Sequence, residues 1–348
     1  MNLTACWTYR DLVFKTPSGT SRGVLTNKRS YFIQITNTKT GKIGIGECGV
    51  LAGLSCDYLP AYEQCLNKLC ANINHVKPIN FIDFPSIRFG LEMAFKSLTS
   101  DYAFHLFPSD FTLGNATMEI NGLIWMGSFE QMSQQIKTKI EAGFSCIKLK
   151  IGAIDFEQEL SLIQQIRKEY STADIEIRVD ANGGLTTEDA LKKLDSLAKC
   201  QLHSIEQPIK QKQWDQMAIL CAKTPLPIAL DEELIGVHNR TTQQLLLDSI
   251  KPQYAIFKPS LLGGFEATEQ WINLCEERNI GWWITSALES NIGLNAITQF
   301  TYTLNNKMPQ GLGTGQLYTN NIMSPLEVKN GHIEYNTLRQ WKLDNLFN

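Results

Sequence analysis

Two textures of hydrophobic and polar positions divide this chain. Residues 1 to about 110 open with strand-like runs, ACWTYRDLVF, SYFIQITN and GKIGIGEC, separated by the turn-rich segments TPSGTSRG and NTKTGK. That spacing predicts an antiparallel meander. Apolar residues then recur at helical spacing over 61–74 and again over 87–97. From about Thr117 short apolar runs alternate with helical text: MEINGLIW, CIKLKIG, IEIRVDAN, HSIEQP, PIALDEE, YAIFKPS and IGWWITSALE, with a last short run near QGLGTG. Helices are expected between them, for example over 156–170, 187–200 and 264–278. Alternating β and α text predicts a parallel sheet, and about eight units predict a barrel. The tail beyond about Ser324 reads as strand again (HIEYN) and is expected to return to the first region. The expected division is 1–110, completed by about 325–348, and 111–324.

Charged residues punctuate the second region once per unit. Lys150, Asp180, Glu206, Asp231 and Lys258 each sit on or at the end of an apolar run, at intervals of 30, 26, 25 and 27 residues. A strand, a loop and a crossover helix take roughly 30 residues, and the C-terminal ends of barrel strands open onto one face. The five side chains are therefore expected to converge on one pocket. Three carboxylates on adjacent strands are costly to bury unless a cation neutralises them. Oxygen-only ligation fits Mg²⁺ or Mn²⁺ better than zinc, and none of the five histidines falls at these strand ends. His203, just before one of them, reads as structural.

Each position also has an ordinary reading. Lys148 and Lys150 in K-L-K share a face by period-two alternation. Such a pair is commonly a solvated edge, but the flanking Ile147, Leu149 and Ile151 favour the barrel interior. Two close ammonium groups beside a metal are expected to lower each other's pKa and favour a neutral base. Asp180 in DANGG is equally a turn cap, with Asn182 on the same face. Asp231 follows PIAL, with Glu232 and Glu233 beside it. Lys258 completes the set across the mouth from Lys150. Two lysines flanking a metal-bound carboxylate suit removal of a proton α to that carboxylate.

Composition changes this picture little. The 348 residues are 43% hydrophobic and 19% charged, with net charge −3. That charge offers no footprint for nucleic acid or an anionic membrane surface, and no apolar run reaches membrane-spanning length. The start, MNLTACWTYR, lacks signal-peptide character. The nine cysteines form no C-x-x-C pair and read as reduced thiols filling small core spaces. The expected location is the cytoplasm, the expected partner is a small-molecule carboxylate substrate, and nothing in the pattern specifies an oligomer.

Taken together, K-L-K, V-D-A-N, I-E-Q-P, L-D-E and F-K-P-S resemble the enolase superfamily, in its muconate-lactonizing subgroup. GIGECGVLAGLS (44–55) resembles the capping segment whose loop closes over substrate, and FPSIRFGLEMA (84–94) resembles the helix that enters the barrel. The resemblance spans essentially the whole chain. It implies an α/β fold, a modified (β/α)7β TIM-type barrel with an α+β capping domain. It further implies one Mg²⁺ (or Mn²⁺) on Asp180, Glu206 and Asp231, with Glu232 supporting them, and Lys150 and Lys258 as the acid/base pair. ITSALESNIGL (284–294) looks like the o-succinylbenzoate synthases, and GLGTGQLY (311–318) lacks the acidic D-x-D that usually marks dipeptide epimerases. In that family one lysine, here Lys150, removes the α-proton and returns it to the departing hydroxyl, while the other, here Lys258, stays cationic. Expected substrate contacts are Lys148, Asn182, Ser286, Gly311, Leu51 and Gly53. Residues 49–55 are expected to form a lid, joined by the turn at 18–29 with Arg22 or Arg29 near a substrate carboxylate; an exposed surface charge is the ordinary reading of either arginine. N-acylamino acid racemases, dipeptide epimerases and muconate-type cycloisomerases use the same machinery and form the alternative. A barrel that binds a carboxylate without turning it over is a third reading, which the five intact positions argue against.

Overall fold

A computed structural model describes residues 2–20, 23–152, 154–343 and 346–347. Strands β1 (Leu3–Thr20), β2 (Gly23–Asn37) and β3 (Ile43–Cys48) form an antiparallel sheet in that order. The expected meander is there, with its first two strands longer than their apolar text. Helices α1 (Tyr62–Ala71) and α2 (Pro85–Thr99) cover one face of it. The approach of β3 to α2 depends on glycine: a Cβ on Gly46 would stand 1.9 Å from the Gly90 carbonyl oxygen.

The run MEINGLIW splits in two. β4 (Thr117–Glu119) joins β12 (Leu326–Lys329) and β13 (His332–Tyr335) in a second antiparallel sheet. The tail thus pairs with β4, and it also touches the first region: Tyr335 Oη shares a hydrogen bond with His105 Nε2 at 2.9 Å, and Trp341 stacks on Phe104. β5 (Gly122–Ile124) opens the barrel sheet, which continues through β6 (Cys146–Lys150), β7 (Glu176–Asp180), β8 (Ser204–Glu206), β9 (Ile228–Leu230), β10 (Tyr254–Phe257) and β11 (Gly281–Ile284), all parallel and adjacent in sequence order. The eighth staves are Gln310 and Gly311. They bridge Ile120 on one side and Thr285 on the other and so close the ring.

The outer helices are α3 (Phe129–Glu141), α4 (Phe156–Glu169), α5 (Ala190–Ala198), α6 (Trp214–Lys223), α7 (Arg240–Ile250), α8 (Pro259–Leu262), α9 (Phe265–Glu276) and α10 (Asn291–Thr303). Several start where the sequence supplies an acceptor for free amides: Ser128, Asp155, Asn239 and Ser290 each cap with a side-chain oxygen. One continuous apolar core fills the space between barrel and helices. The cysteines are all free; most pack inside, but Cys6 and Cys56 are exposed, so core filling does not account for those two. Among the described residues no helix is long and apolar enough to cross a membrane.

Candidate active site

Lys148 and Lys150 alternate with Leu149 on β6, so both ammonium groups enter the barrel. The parallel register sets Lys150 beside Asp180 on β7 and Asp180 beside Glu206 on β8. Lys148 Nζ donates to Asp180 Oδ2 at 3.1 Å and to Glu206 Oε2 at 2.6 Å. Lys150 Nζ donates to the same Asp180 oxygen at 3.1 Å and to Asn182 Oδ1 at 2.8 Å. Lys258, at the end of β10, donates to Asp231 Oδ2. Asn182 takes a left-handed backbone, φ 44°, which asparagine tolerates. That turn lets its amide also donate to Glu232 Oε1 at 3.1 Å.

Electrostatics here differ from the sequence expectation in one respect. Burial works against the charge on Lys148, yet Asp180 and Glu206 outweigh it and hold its pKa above the usual lysine value. The expected mutual depression of the two lysines is therefore reversed at Lys148, because carboxylates face it more closely than any cation does. Lys258 is likewise raised, with Asp231 overcoming burial. Burial opposes ionisation of Asp180, but Lys148, Lys150 and Lys258 hold its carboxyl well below the usual range. Burial and the Asp180 charge push Glu206 well above its usual value. Asp231 is lowered despite burial, chiefly by Lys258.

Asp180, Glu206 and Asp231 are each no more than 2% exposed. As they stand, no group of three His, Cys, Asp or Glu side chains among the described residues is arranged to hold a metal ion, since the carboxylates turn oxygens to ammonium groups. Their chemistry still fits a hard divalent cation: three oxygen donors lie on adjacent strands. Glu206 Oε1 in addition is buried with no hydrogen-bond partner among the described residues, a costly state for an acceptor that a cation would relieve.

Above these groups lies a cavity of about 170 Å³, open toward solvent. It is lined by Lys148, Lys150, Asp180, Asn182 and Lys258, with Leu51, Gly53 and Leu54 from the cap on one side and Ser286, Gly311 and Thr314 on another. Ser286 Oγ shares a hydrogen bond with Thr314 Oγ1 at 2.7 Å. Gly311 is confined by Thr285, whose Oγ1 would stand 2.2 Å from any Cβ placed there. Glu206, Asp231 and Glu232 stand outside the lining. Arg29 does too: it pairs with Asp11 at 2.8 Å, lies over the Tyr9 ring and is 41% exposed. Arg22 is outside the described residues. Leu25, from the same hairpin, lines the pocket instead.

Several residues escaped the sequence reading. Trp125 and Leu123 form an apolar wall; both lie at the C-terminal end of the first barrel strand, so the rule that found the charges would have found them. Gln207, φ 37° and fully buried, accepts from the Asp231 and Glu233 amides at 3.2 Å each and so shapes the turn carrying Asp231. No spacing signal marks it. His203 bonds Ser204 at 2.9 Å and packs on Tyr254, away from the pocket.

The family model described as "Enolase C-terminal domain-like" matches residues 131–339. The chain belongs to the enolase superfamily. Within it, the chain is 47% identical to the o-succinylbenzoate synthase of Desulfotalea psychrophila, over 92% of this chain and 96% of that protein. The crystal structure of MenC from the same organism superposes with a TM-score of 0.85 at 43% identity, covering 96% of this chain and 100% of that one. A dipeptide epimerase from Enterococcus faecalis, solved with Mg and a dipeptide, superposes with a TM-score of 0.81 at 18% identity, covering 96% and 97%; that likeness speaks to fold alone. Superfamily membership agrees with the barrel and cap described above.

Proposed function

We propose that this chain is an o-succinylbenzoate synthase, a lyase that removes water from 2-succinyl-6-hydroxy-2,4-cyclohexadiene-1-carboxylate to give 2-succinylbenzoate. The observation that carries this reading is the makeup of the pocket wall. Lys150 and Lys258 face one space from strands four places apart, and Asp180 is the only acidic residue among the described lining residues. Leu25, Leu51, Leu54, Leu123, Trp125 and Leu288 make much of the remainder apolar. A substrate ammonium group would find little to pair with, whereas a hydrocarbon ring carrying carboxylates fits both the cations and the apolar walls. The Desulfotalea psychrophila relative supports the same choice.

In this reading Lys150 takes the C1 proton, α to the ring carboxylate, and the C–H electron pair delocalises onto that carboxylate before returning to form the C1–C6 double bond. Hydroxide leaves C6 and receives that proton from Lys150, so water departs and the ring becomes aromatic. Lys258, kept protonated by Asp231, faces the negative charge that develops on the carboxylate. Lys148 and Asn182 orient Asp180 and Lys150. Asp180, Glu206 and Asp231 would hold Mg²⁺, or Mn²⁺, with Glu232 supporting Asn182 beside them; the ion when bound supplies positive charge opposite the substrate carboxylate. Leu51 and Gly53 belong to a lid over the mouth. We place the enzyme in menaquinone biosynthesis, in the cytoplasm.

The deciding experiment is a direct assay of water loss. Purified protein with Mg²⁺ should convert the cyclohexadiene to the aromatic product. No conversion, together with turnover of an N-acylamino acid or a dipeptide, would move the chain to the racemase or epimerase reading.

A further inference from the structure

Leu288 lines the pocket with a backbone that leucine rarely adopts, φ 62°. A left-handed conformation costs a γ-branched residue free energy and persists only where surrounding structure imposes it. What imposes it here is a pair of donors converging on one oxygen. Lys28 Nζ donates to the Leu288 carbonyl at 2.9 Å, and Tyr318 Oη donates to it at 2.7 Å. Lys28 belongs to β2 of the first sheet, Tyr318 to the segment after the barrel closes, and Leu288 to the loop after β11. The three are separated by up to 290 residues along the chain.

Lys28 is itself anomalous. It is 4% exposed between the exposed Asn27 and Arg29, and its hydrogen bonds among the described residues go to neutral oxygens, the Leu288 carbonyl and Ser30 Oγ at 3.2 Å. Burial lowers its pKa, with Glu47 and Glu289 opposing that from nearby. An ammonium group buried to hold a carbonyl is an expensive way to fasten a loop, and it ties the cap to the pocket wall. The rest of the loop is pinned independently: Glu289 accepts from the Ala287 amide at 2.7 Å and from Ser260. The side chain of Leu288 packs with Leu25 and Leu317 against Leu12, Phe14 and Tyr318.

We propose that Lys28 is a positioning residue for substrate specificity. With Tyr318 it clamps Leu288 in its left-handed backbone and thereby sets the apolar wall against which the part of the substrate remote from the reacting carbon packs. The proposal rests on the synthase reading for its substrate, the succinyl-bearing cyclohexadiene, but the clamp does not depend on that choice.

The test uses the full-length enzyme and four variants: Lys28→Met, Lys28→Arg, Leu288→Gly and the Lys28→Met/Leu288→Gly double. Lys28→Met should raise KM about tenfold with a much smaller change in kcat, the signature of lost positioning away from the chemistry. Lys28→Arg, which keeps a cationic donor, should recover most of it. Glycine accepts positive φ without strain, so Leu288→Gly should fold and raise KM alone. The double variant should then be no worse than Leu288→Gly, because Lys28 acts through that side chain. Additive losses, or kcat falling in step with thermal stability, would make Lys28 a plain structural residue and overturn the proposal. If the parent enzyme fails to dehydrate the cyclohexadiene, the synthase reading falls by itself, and the clamp is read by hydrogen exchange. The amides of residues 286–289 should then exchange faster in Lys28→Met than in the parent or Lys28→Arg. Equal exchange would overturn it.

Discussion

Glu47, on the last strand of the first sheet, holds Ser290 at the start of a barrel helix: it accepts from the Ser290 amide at 2.8 Å and the Ser290 hydroxyl at 2.5 Å. The Gly293 amide, 2.8 Å away, joins them. A cap carboxylate thus occupies the N-terminus of α10, where free amides and the helix dipole favour an anion. Glu47 is fully buried. Glu47→Ala leaves those donors unpaired in a dry site and should destabilise the protein by about 3 kcal/mol. Urea unfolding measures it; a change under about 0.5 kcal/mol, the range of ordinary surface substitutions, would mean water replaces the carboxylate.

The two lysines should fail differently. Lys150→Ala removes the group that both takes and returns the proton, so turnover should fall by about 10²–10⁴-fold or more. Lys258→Ala should also be severe. Lys258→Arg keeps the charge opposite Asp231 and should retain at least about tenfold more turnover than Lys258→Ala. Equal loss in both would assign Lys258 a proton-transfer role.

Metal removal should separate binding chemistry from fold. Exhaustive chelation should abolish turnover, and Mg²⁺ should restore it. Asp231→Asn should raise the Mg²⁺ concentration needed for half activity. Full activity after chelation would remove Asp180, Glu206 and Asp231 from any ligand role.

A second carboxylate from the cap region offers a pH test. Glu92 on α2 accepts from the Phe265 amide at 2.6 Å, at the start of α9. Burial pushes its pKa up from 4.5 to about 7, with Arg88 and that amide opposing. A raised carboxyl pKa favours the folded state at low pH: its contribution is fully present below about 4.5, the unfolded value, and is lost as pH rises through about 7. Glu92→Gln stays neutral throughout. Its stability relative to the parent should therefore improve between pH 4.5 and pH 8, by at most about 3 kcal/mol. Urea unfolding across that range checks the sign, and a gap that narrows with rising pH would refute the raised value.

The loop at residues 49–55 closes on itself, with the Leu51 carbonyl accepting from the Leu54 and Ser55 amides at 3.1 and 2.9 Å. Leu51, Ala52, Gly53 and Leu54 all line the pocket, with Leu51 buried and Ala52 and Gly53 exposed at its mouth. Cleavage at these leucines by chymotrypsin should slow when 2-succinylbenzoate and Mg²⁺ are added together. Unchanged cleavage rates would show that the loop does not cover a bound ligand.

Much of this arrangement is local and was legible along the chain. Period-two alternation puts Lys148 and Lys150 on one side of β6 whatever the neighbouring strand is. The interval of 25 to 30 residues between charges follows from the length of a β/α unit, so the barrel and its charged rim could be read from spacing alone. Composition of the final loop, GLGTGQLY, likewise carried its message without coordinates. What spacing does not carry is register and long-range closure. That Lys148 meets two carboxylates, and so is raised rather than lowered, depends on which residues of β6, β7 and β8 stand side by side. Glu47, Lys28 and Leu288 lay inside segments that could be singled out, 44–55, 18–29 and 284–294, but nothing in the spacing gave any of the three a role of its own. Their roles come from contacts across more than 240 residues, where the chain's own periodicity has no say. Alternation and helical pitch are properties of a few consecutive peptide units and are written into the sequence. The pairing of a buried ammonium with a distant carbonyl exists only once the cap has docked on the barrel, because only then does excluding water make that one oxygen the available partner.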